Sequence, residues 1–228
     1  MQYLLPIWDI PSAAVAGSDS RFPVHRIYCV GRNYAEHARE MGADPVKEAP
    51  FFFCKPNDAV APSGSVIPYP SATKNFHHEV ELVVALKGGG SNIKPEAALD
   101  LVFGYAVGVD LTRRDLQQAA KDKGRPWDVG KAFDRAAPIG ELRPVSSGGH
   151  IPQAAIAISV NGVVKQSSDV SDMTWNVPDT IAYLSGLFEL KAGDLIFTGT
   201  PAGVGPLVTG DKIEARIVGL PPLDFSIN

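Results

Sequence analysis

The apolar runs of this sequence are short, and glycine or proline ends most of them. Residues 25–30 run into Gly31, residues 51–54 are followed by Pro56, and residues 78–86 precede Gly88. The 228 residues include 22 glycines and 19 prolines, and both residue types weaken the interior of a helix. Runs this short match strands better than helices. The pattern disfavours a helical bundle and predicts a β-rich α+β fold with many shaped loops.

Several classes of protein are excluded by simple features of the chain. No apolar run reaches the roughly 18 residues that a membrane-spanning helix requires, and the N-terminus lacks the basic and apolar regions of a signal peptide. The formal net charge of −4 gives no basic footprint for nucleic acid. Cys29 and Cys54 lie in apolar surroundings and are expected to be buried free thiols. We expect a cytoplasmic protein that binds neither nucleic acid nor a membrane.

No repeat or linker divides the chain, so we predict a single domain over residues 25–228, preceded by an N-terminal arm over residues 1–24. Strands are predicted over residues 25–30, 78–86, 104–111, 194–198 and 211–218. Asn161-Gly162 predicts a hairpin between residues 154–160 and 163–165. Helices are predicted over residues 33–41, 95–101, 112–123 and 178–190, with Thr112 as the N-cap of the third.

Three carboxylates lie on two of the predicted strands. Glu79 and Glu81 are two residues apart, so both side chains leave the same face of a strand, and Asp110 lies near the end of the next strand. If these strands are neighbours, the carboxylates converge, and a hard cation such as Mg²⁺ or Mn²⁺ would neutralise them. The spacing alone favours a simpler interpretation, the solvated face of an edge strand. His77 and His78 lack the partners that a zinc site needs.

Three further features have both a functional and an ordinary interpretation. His37 and Glu40 share one face of a predicted helix, which suits either a general base with its orienting carboxylate or a surface pair. Lys131, taken by itself, is typical of a surface lysine. The loop of residues 198–206 is rich in glycine and follows a strand, but it matches no phosphate-binding motif.

Taken in order, these segments resemble the fumarylacetoacetate hydrolase family, and most closely its small acylpyruvate hydrolase branch. The resemblance covers residues 25–220 and leaves the first 24 residues outside. It rests on VGRNYAEH at residues 30–37, Lys55 before Pro56, HHEVEL at 77–82, GYAVGVDLTRRD at 104–115, GRPWDVGKAF at 124–133 and TGTPAGVGP at 198–206. It implies the C-terminal-domain fold of that family, a roll of mixed β-sheets with few peripheral helices, and a homodimer.

The resemblance also assigns roles to individual residues and reverses the preference for an edge strand. It implies that Glu79, Glu81 and Asp110 hold one Mg²⁺ or Mn²⁺ ion per subunit. It makes His37 and Glu40 the water-activating pair, on a helix that closes over the site. Lys131 is implied as a further catalytic residue. The residues implied to contact substrate are Arg32, Lys55, Arg114, Gln117 and Thr200.

The implied activity is hydrolysis of a carbon–carbon bond in an acylpyruvate, a diketo acid. The chain has no room for the SH3-like domain of the larger members, which argues against fumarylacetoacetate itself. Arg32 and Lys55 suit a second carboxylate, so we expect fumarylpyruvate, which yields fumarate and pyruvate in the gentisate route of aromatic catabolism. The alternatives are an oxaloacetate decarboxylase or tautomerase, and a decarboxylase or isomerase of homoprotocatechuate breakdown. A non-catalytic binding protein would be expected to lack His37, Glu40 or Lys131, and all three are present.

Overall fold

The computed structural model describes residues 3–40 and 49–228 and is dominated by short strands. The strands are β1 (Ser12–Val15), β2 (Ser18–Pro23), β3 (Ile27–Gly31), β4 (Phe51–Lys55), β5 (Val60–Pro62), β6 (Val66–Ile67), β7 (Phe76–His78), β8 (Val80–Leu86), β9 (Val102–Val109), β10 (Thr112–Arg113), β11 (Ala137–Ile139), β12 (Arg143–Pro144), β13 (Ala155–Val160), β14 (Val163–Asp169), β15 (Leu195–Phe197), β16 (Gly205–Leu207), β17 (Lys212–Ile217) and β18 (Leu223–Ile227). The helices are α1 (Ala35–Glu40), α2 (Pro95–Ala98), α3 (Arg114–Asp122), α4 (Asp128–Lys131), α5 (Val145–Gly148) and α6 (Val177–Leu187). This composition confirms the predicted β-rich α+β class.

The strands form one large mixed sheet and three smaller sheets. The large sheet runs β4-β3-β15-β8-β9-β11-β5, with β12 paired to β9, and it contains both parallel and antiparallel pairs. A second sheet runs β14-β13-β17-β18-β6, a third runs β10-β7-β16, and β1 pairs with β2. The core fills the space between these sheets with aliphatic and aromatic side chains.

The centre of the large sheet determines where polar residues can meet. β3 is parallel to β15, while β8 is antiparallel to both β15 and β9. The carboxyl ends of β3, β15 and β9 therefore lie at one edge of the sheet, beside the start of β8. Every residue of β8 is buried, so it is a central strand, and the edge-strand interpretation is wrong.

The predicted hairpin at Asn161-Gly162 is confirmed by the pairing of β13 with β14. The first helix is shorter than predicted within the described residues, and its predicted end at residues 41 and 42 lies outside them. Thr112 is not an N-cap, because it lies in β10, which pairs with β7. β8 begins only at Val80, and His78 belongs to a different sheet. Cys29 is buried as expected, but Cys54 is exposed.

The N-terminal segment contains regular structure. β1 and β2 pair as a hairpin, and backbone hydrogen bonds join Ala14 and Ala16 to Leu142. Residues 4–10 are exposed, and they include the large apolar side chains of Leu4, Leu5, Ile7, Trp8 and Ile10. None of the helices found in residues 3–40 and 49–228 has the length and apolar character of a membrane span.

Candidate metal and active site

Strand register brings the three carboxylates together at the edge of the large sheet. Val80 pairs with Val109, so Glu79 stands opposite Asp110, and the Asp110 amide donates to the Glu79 carbonyl at 2.8 Å. Glu81 projects from the same face of the chain as Glu79. One ligand atom from each of Glu79, Glu81 and Asp110 lies within 4.8 Å of the other two. All three side chains are buried.

Three buried cations surround these carboxylates. The Lys131 ammonium lies 2.6 Å from Asp110 Oδ2, 2.8 Å from Glu79 Oε2 and 2.7 Å from Thr112 Oγ1. Arg114 donates to the other oxygen of Glu79, and it also donates to Gln117 Oε1 at 2.5 Å. The Lys55 ammonium lies 2.7 Å from Asp110 Oδ1. Lys131 is therefore not a surface lysine, because its buried ammonium contacts both Glu79 and Asp110.

The three carboxylates do not share one electrostatic environment. Burial alone would raise the pKa of Glu79, but the charges of Lys131 and Arg114 outweigh it and hold that pKa well below its usual range. Burial raises the pKa of Glu81 well above its usual range, and the charge of Asp110 adds to the effect. Burial would lower the pKa of Lys131, yet Asp110 and Glu79 outweigh it and raise that pKa. Glu81 is therefore the carboxylate with the least compensation from the protein.

The donor set fits a hard divalent ion. It consists of carboxylate oxygens alone, which Mg²⁺ and Mn²⁺ prefer over the nitrogen and sulfur ligands of softer metals. Asp110 Oδ1 is buried and has no hydrogen-bond partner within the described residues, because Lys55 approaches it outside hydrogen-bond geometry. Among the described residues, the hydrogen bond that Glu81 accepts comes from the Gly199 amide at 2.7 Å. A cation bound among these oxygens would place a positive charge beside Glu81 and offset the cost of burying its carboxylate.

The helix that carries His37 and Glu40 lies against the same edge of the sheet. His37 Nδ1 is 3.1 Å from Glu40 Oε2, and Glu40 also accepts from the Gly203 amide at 3.2 Å. With Nδ1–H donated to Glu40, the lone pair of the neutral imidazole is on Nε2, as a general base requires. His37 is buried and lines the cleft that contains the carboxylates. The paired arrangement expected from the sequence is therefore present in the site.

A buried asparagine holds this helix in place. Asn33 donates to the carbonyls of Thr198 and Trp175, at 2.7 and 2.9 Å, and accepts from the Trp175 amide at 2.7 Å. Gly199 packs against it with φ of +94°, and a Cβ there would lie 2.7 Å from Asn33 Cβ. Glycine at position 199 therefore allows both the turn and the close approach of α1 to the loop after β15.

Aromatic side chains form one wall of the cleft. The rings of Phe51 and Phe53 each contact Trp127, with centroids 5.2 and 5.8 Å apart. Gly31 leaves room for Phe51, since a Cβ there would lie 2.0 Å from the ring. The next residue, Arg32, has φ of 57°, a left-handed conformation that non-glycine residues seldom adopt, and its guanidinium lies 5.6 Å from the Phe51 ring centroid. This backbone turn brings a positive charge to the mouth of the cleft.

The structure places most of the residues selected from the sequence around one cleft. Those that line it are Arg32, His37, Glu79, Glu81, Asp110, Arg114, Gln117, Lys131 and Thr200. Glu40 lies behind His37. Lys55, predicted to contact substrate, is not among the lining residues, because its fully buried ammonium is held by Asp110 and by the carbonyl of Leu111 at 3.2 Å. Lys55 thus supports Asp110 from behind the cleft.

Some residues of the site were missed by the sequence analysis. Gln118 and Lys121 line the cleft four and seven positions after Arg114 on α3, a helical spacing that could have indicated them. The Phe51, Phe53 and Trp127 wall had only a weak signal, alternation along a strand. Gln166 is buried on β14 and bonds to Thr200, and no local pattern pointed to it.

Known proteins resemble this chain in sequence and in fold. A family model described as fumarylacetoacetate (FAA) hydrolase C-terminal matches residues 26–228. A fumarylpyruvate hydrolase of Ralstonia sp is 45% identical over 184 residues, which cover 81% of this chain and 95% of that protein. A mitochondrial oxaloacetate tautomerase of Mus musculus is 42% identical over 201 residues, which cover 88% of this chain and 90% of that protein.

A solved structure shows the same similarity over nearly the whole chain. It is the crystal structure of fumarylpyruvate hydrolase from Pseudomonas aeruginosa in complex with Mn²⁺ and pyruvate. It superposes with a TM-score of 0.98 at 51% identity and covers 99% of both chains. The similarity therefore includes the N-terminal hairpin as well as residues 26–228.

Proposed function

Because this chain belongs to the fumarylacetoacetate hydrolase family, we propose that it is a metal-dependent hydrolase that cleaves the carbon–carbon bond of an acylpyruvate. Its best substrate is fumarylpyruvate, and the products are fumarate and pyruvate. The observation that carries this proposal is the meeting, in one cleft, of Glu79, Glu81 and Asp110 with the His37–Glu40 pair. The Ralstonia and Pseudomonas relatives named for this activity support the choice of substrate.

We assign one Mg²⁺ or Mn²⁺ ion to Glu79, Glu81 and Asp110. When bound, such an ion stabilises negative charge that develops on the substrate oxygens during cleavage. Arg114 forms an ion pair with Glu79 and Lys55 forms one with Asp110, and these contacts orient the two carboxylates toward the cleft. Lys131 adds a positive charge beside the same oxygens, where it stabilises an enolate leaving group electrostatically.

His37 activates water in this mechanism. Its Nε2 takes a proton from a water molecule while Glu40 stabilises the resulting imidazolium through Nδ1–H. The water oxygen attacks the distal carbonyl carbon, and the bond to the pyruvyl methylene breaks. The electron pair remains on the pyruvate fragment as an enolate, and the proton held by His37 Nε2 then passes to the enolate carbon, which leaves pyruvate and a neutral His37. Gln117 and Thr200 hold the substrate oxygens, and the apolar Phe51 wall excludes bulk water from the reaction.

A panel of substrates tests the proposal directly. We expect fumarylpyruvate to have the highest kcat/KM, because it presents a second carboxylate to Arg32 beyond the acyl carbonyl. Acetylpyruvate should come next, since it has the acyl carbonyl but lacks that carboxylate. Oxaloacetate should come last, because its second carboxylate stands where the acyl carbonyl attacked by water would be. The products are identified by chromatography, and the metal is removed and restored as a control. If oxaloacetate is the best substrate by a wide margin, the assignment to acylpyruvate hydrolysis is wrong.

A second candidate is oxaloacetate tautomerisation. The Mus musculus relative named for it is 42% identical, nearly as similar as the Ralstonia hydrolase. Tautomerisation needs proton transfer at carbon but no water attack. Replacement of Glu40 by glutamine would therefore impair hydrolysis more than tautomerisation, and the enol and keto forms are distinguished by ultraviolet absorbance.

The homodimer and the cytoplasmic location remain predictions that rest on family resemblance. The exposed apolar side chains of Leu4, Leu5 and Trp8 fit a surface that is covered by association. The mass of the protein in solution, measured by light scattering after size-exclusion chromatography, tests the dimer. A monomeric mass at micromolar concentration would contradict it.

A further inference from the structure

A single buried amide connects two parts of the site that are far apart in sequence. Gln166 lies on β14, with 1% of its surface exposed. Its Oε1 is 3.1 Å from the Val80 amide and 3.0 Å from His78 Nδ1. Its Nε2 is 2.8 Å from Thr200 Oγ1 and 2.7 Å from the Pro201 carbonyl. The side chain therefore joins the start of β8 to the loop after β15.

The two backbone partners fix which end of the amide is oxygen and which is nitrogen. A backbone N–H such as that of Val80 can only donate, so it must face Oε1. The carbonyl of Pro201 can only accept, so it must face Nε2. Both hydrogens of Nε2 are then used, one on Pro201 and one on Thr200. The Thr200 hydroxyl must act as the acceptor in its bond with Gln166.

This constraint decides what the Thr200 hydroxyl can do next. Its oxygen receives a hydrogen bond from Gln166, so its own hydrogen remains available to another acceptor. Within the described residues the hydroxyl makes no second hydrogen bond, and Thr200 lines the cleft. The hydroxyl hydrogen of Thr200 is therefore free to point into the cleft.

We propose that Gln166 is a positioning residue that turns the Thr200 hydroxyl into a hydrogen-bond donor toward an anionic oxygen of the substrate. The inference rests on the proposed function, because the acceptor is an oxygen of the bound 2-oxo acid. The other end of the amide strengthens the effect. Val80 stands between Glu79 and Glu81, and the Gly199 amide beside Thr200 donates to Glu81. Gln166 thus fixes the position of the Thr200 hydroxyl relative to Glu79 and Glu81.

Three substitutions at two positions separate this role from ordinary stabilisation. Gln166→Glu keeps an acceptor for Val80 but removes the donors, and the new carboxylate attracts the Thr200 hydrogen away from the cleft. Thr200→Val removes the hydroxyl, whereas Thr200→Ser keeps it. Ile156→Ala serves as the control, because it opens a cavity in β13, the strand paired to β14, at an apolar side chain that makes none of these hydrogen bonds.

We expect Thr200→Val to lower kcat/KM for fumarylpyruvate about 10- to 100-fold, as for loss of a hydrogen bond to a charged group. Gln166→Glu should cause a loss of similar size, and the double variant should lose no more than Thr200→Val alone. Thr200→Ser should stay within about threefold of wild type. Calorimetry on the Mn²⁺-loaded proteins should show weaker pyruvate binding for Thr200→Val and Gln166→Glu, and binding close to that of wild type for Thr200→Ser. Ile156→Ala should lower the midpoint of thermal unfolding and leave kcat/KM near wild type.

Losses that multiply in the double variant, or full activity of Gln166→Glu beside an impaired Thr200→Val, would overturn the inference. Denaturant unfolding of the same proteins measures the hydrogen bond without any substrate, and it should show coupling between positions 166 and 200. If wild type neither binds pyruvate nor cleaves an acylpyruvate, while the unfolding cycle shows coupling, the proposed function fails and the donor role falls with it. Absence of coupling refutes the inference alone.

Discussion

Replacement of Lys55 by methionine tests how the carboxylates of the site are neutralised. The Lys55 ammonium is fully buried, lies 2.7 Å from Asp110 Oδ1 and donates to the carbonyl of Leu111. Methionine fills much of the same volume without the charge. The change leaves three buried carboxylates with two cations, Lys131 and Arg114.

The magnitude follows from the burial of Asp110. Removal of one partner from a buried ion pair costs about 3–5 kcal/mol, because the remaining charge is left without compensation. Lys131 still contacts Asp110 at 2.6 Å, so we expect the lower end of this range, about 3 kcal/mol. A divalent ion at Glu79, Glu81 and Asp110 would supply the missing charge. Saturating Mn²⁺ should therefore stabilise the variant more than wild type.

The free energy of unfolding is measured by urea denaturation, with Mn²⁺ and with a chelator. Lys191→Met is the matched control, because it removes an exposed lysine whose ammonium is 3.9 Å from Glu189. Exposed pairs contribute only about 0–1 kcal/mol, so this control should unfold almost as wild type does.

The outcome decides between two roles for Lys55. If it held a distal carboxylate of the substrate, as the sequence suggested, Lys55→Met would raise KM for fumarylpyruvate and leave stability and acetylpyruvate cleavage unchanged. That result would refute the reasoning from the structure. A loss of stability that Mn²⁺ largely restores would place Lys55 among the supports of Asp110.

Three further substitutions test residues that line the cleft. Glu81→Ala should weaken Mn²⁺ binding about 100-fold or more, and unchanged affinity by calorimetry would sink its assignment as a ligand. His37→Ala should lower kcat about 10²- to 10⁴-fold while oxalate still binds, and full activity would remove it from the mechanism. Arg32→Met should lower kcat/KM about 10- to 100-fold for fumarylpyruvate but not for acetylpyruvate, and equal losses would disprove contact with the distal carboxylate.

The sheet framework was predictable where local pattern and burial agree. The apolar character of Val80–Leu86, the turn at Asn161-Gly162 and the glycine or proline at strand ends gave elements that the structure confirms. Local pattern failed for Glu79 and Glu81, since alternating charge is typical of a half-exposed strand. Whether such a strand lies at an edge or in the centre depends on partners elsewhere in the chain, here β15 and β9. Only the family resemblance supplied that information.

The buried residues that hold the site in place could not be predicted for the same reason. Gln166 lies among polar residues of a hairpin strand, and its partners are 34 to 88 positions away in the chain. Lys131 by itself is typical of a surface lysine, and Lys55 was predicted to contact substrate, but the tertiary structure buries both ammonium groups against Asp110. Residue type indicates what chemistry a side chain can perform. Tertiary contacts determine which side chain is shielded from water and by which partner. The spacing of residues in the sequence does not reveal those contacts.

The balance of charge in the cluster predicts how the protein responds to loss of metal. Without an ion, Glu79 and Asp110 already form ion pairs with Lys55, Arg114 and Lys131, whereas none of these three cations pairs with Glu81. Sites whose ligands have no other partner unfold when the metal is removed, whereas this one keeps Lys131 on Glu79 and Asp110. We expect a chelator to abolish activity while circular dichroism and the cooperativity of thermal unfolding are retained. Loss of the folded signal on chelation would show that the lysines do not replace the ion.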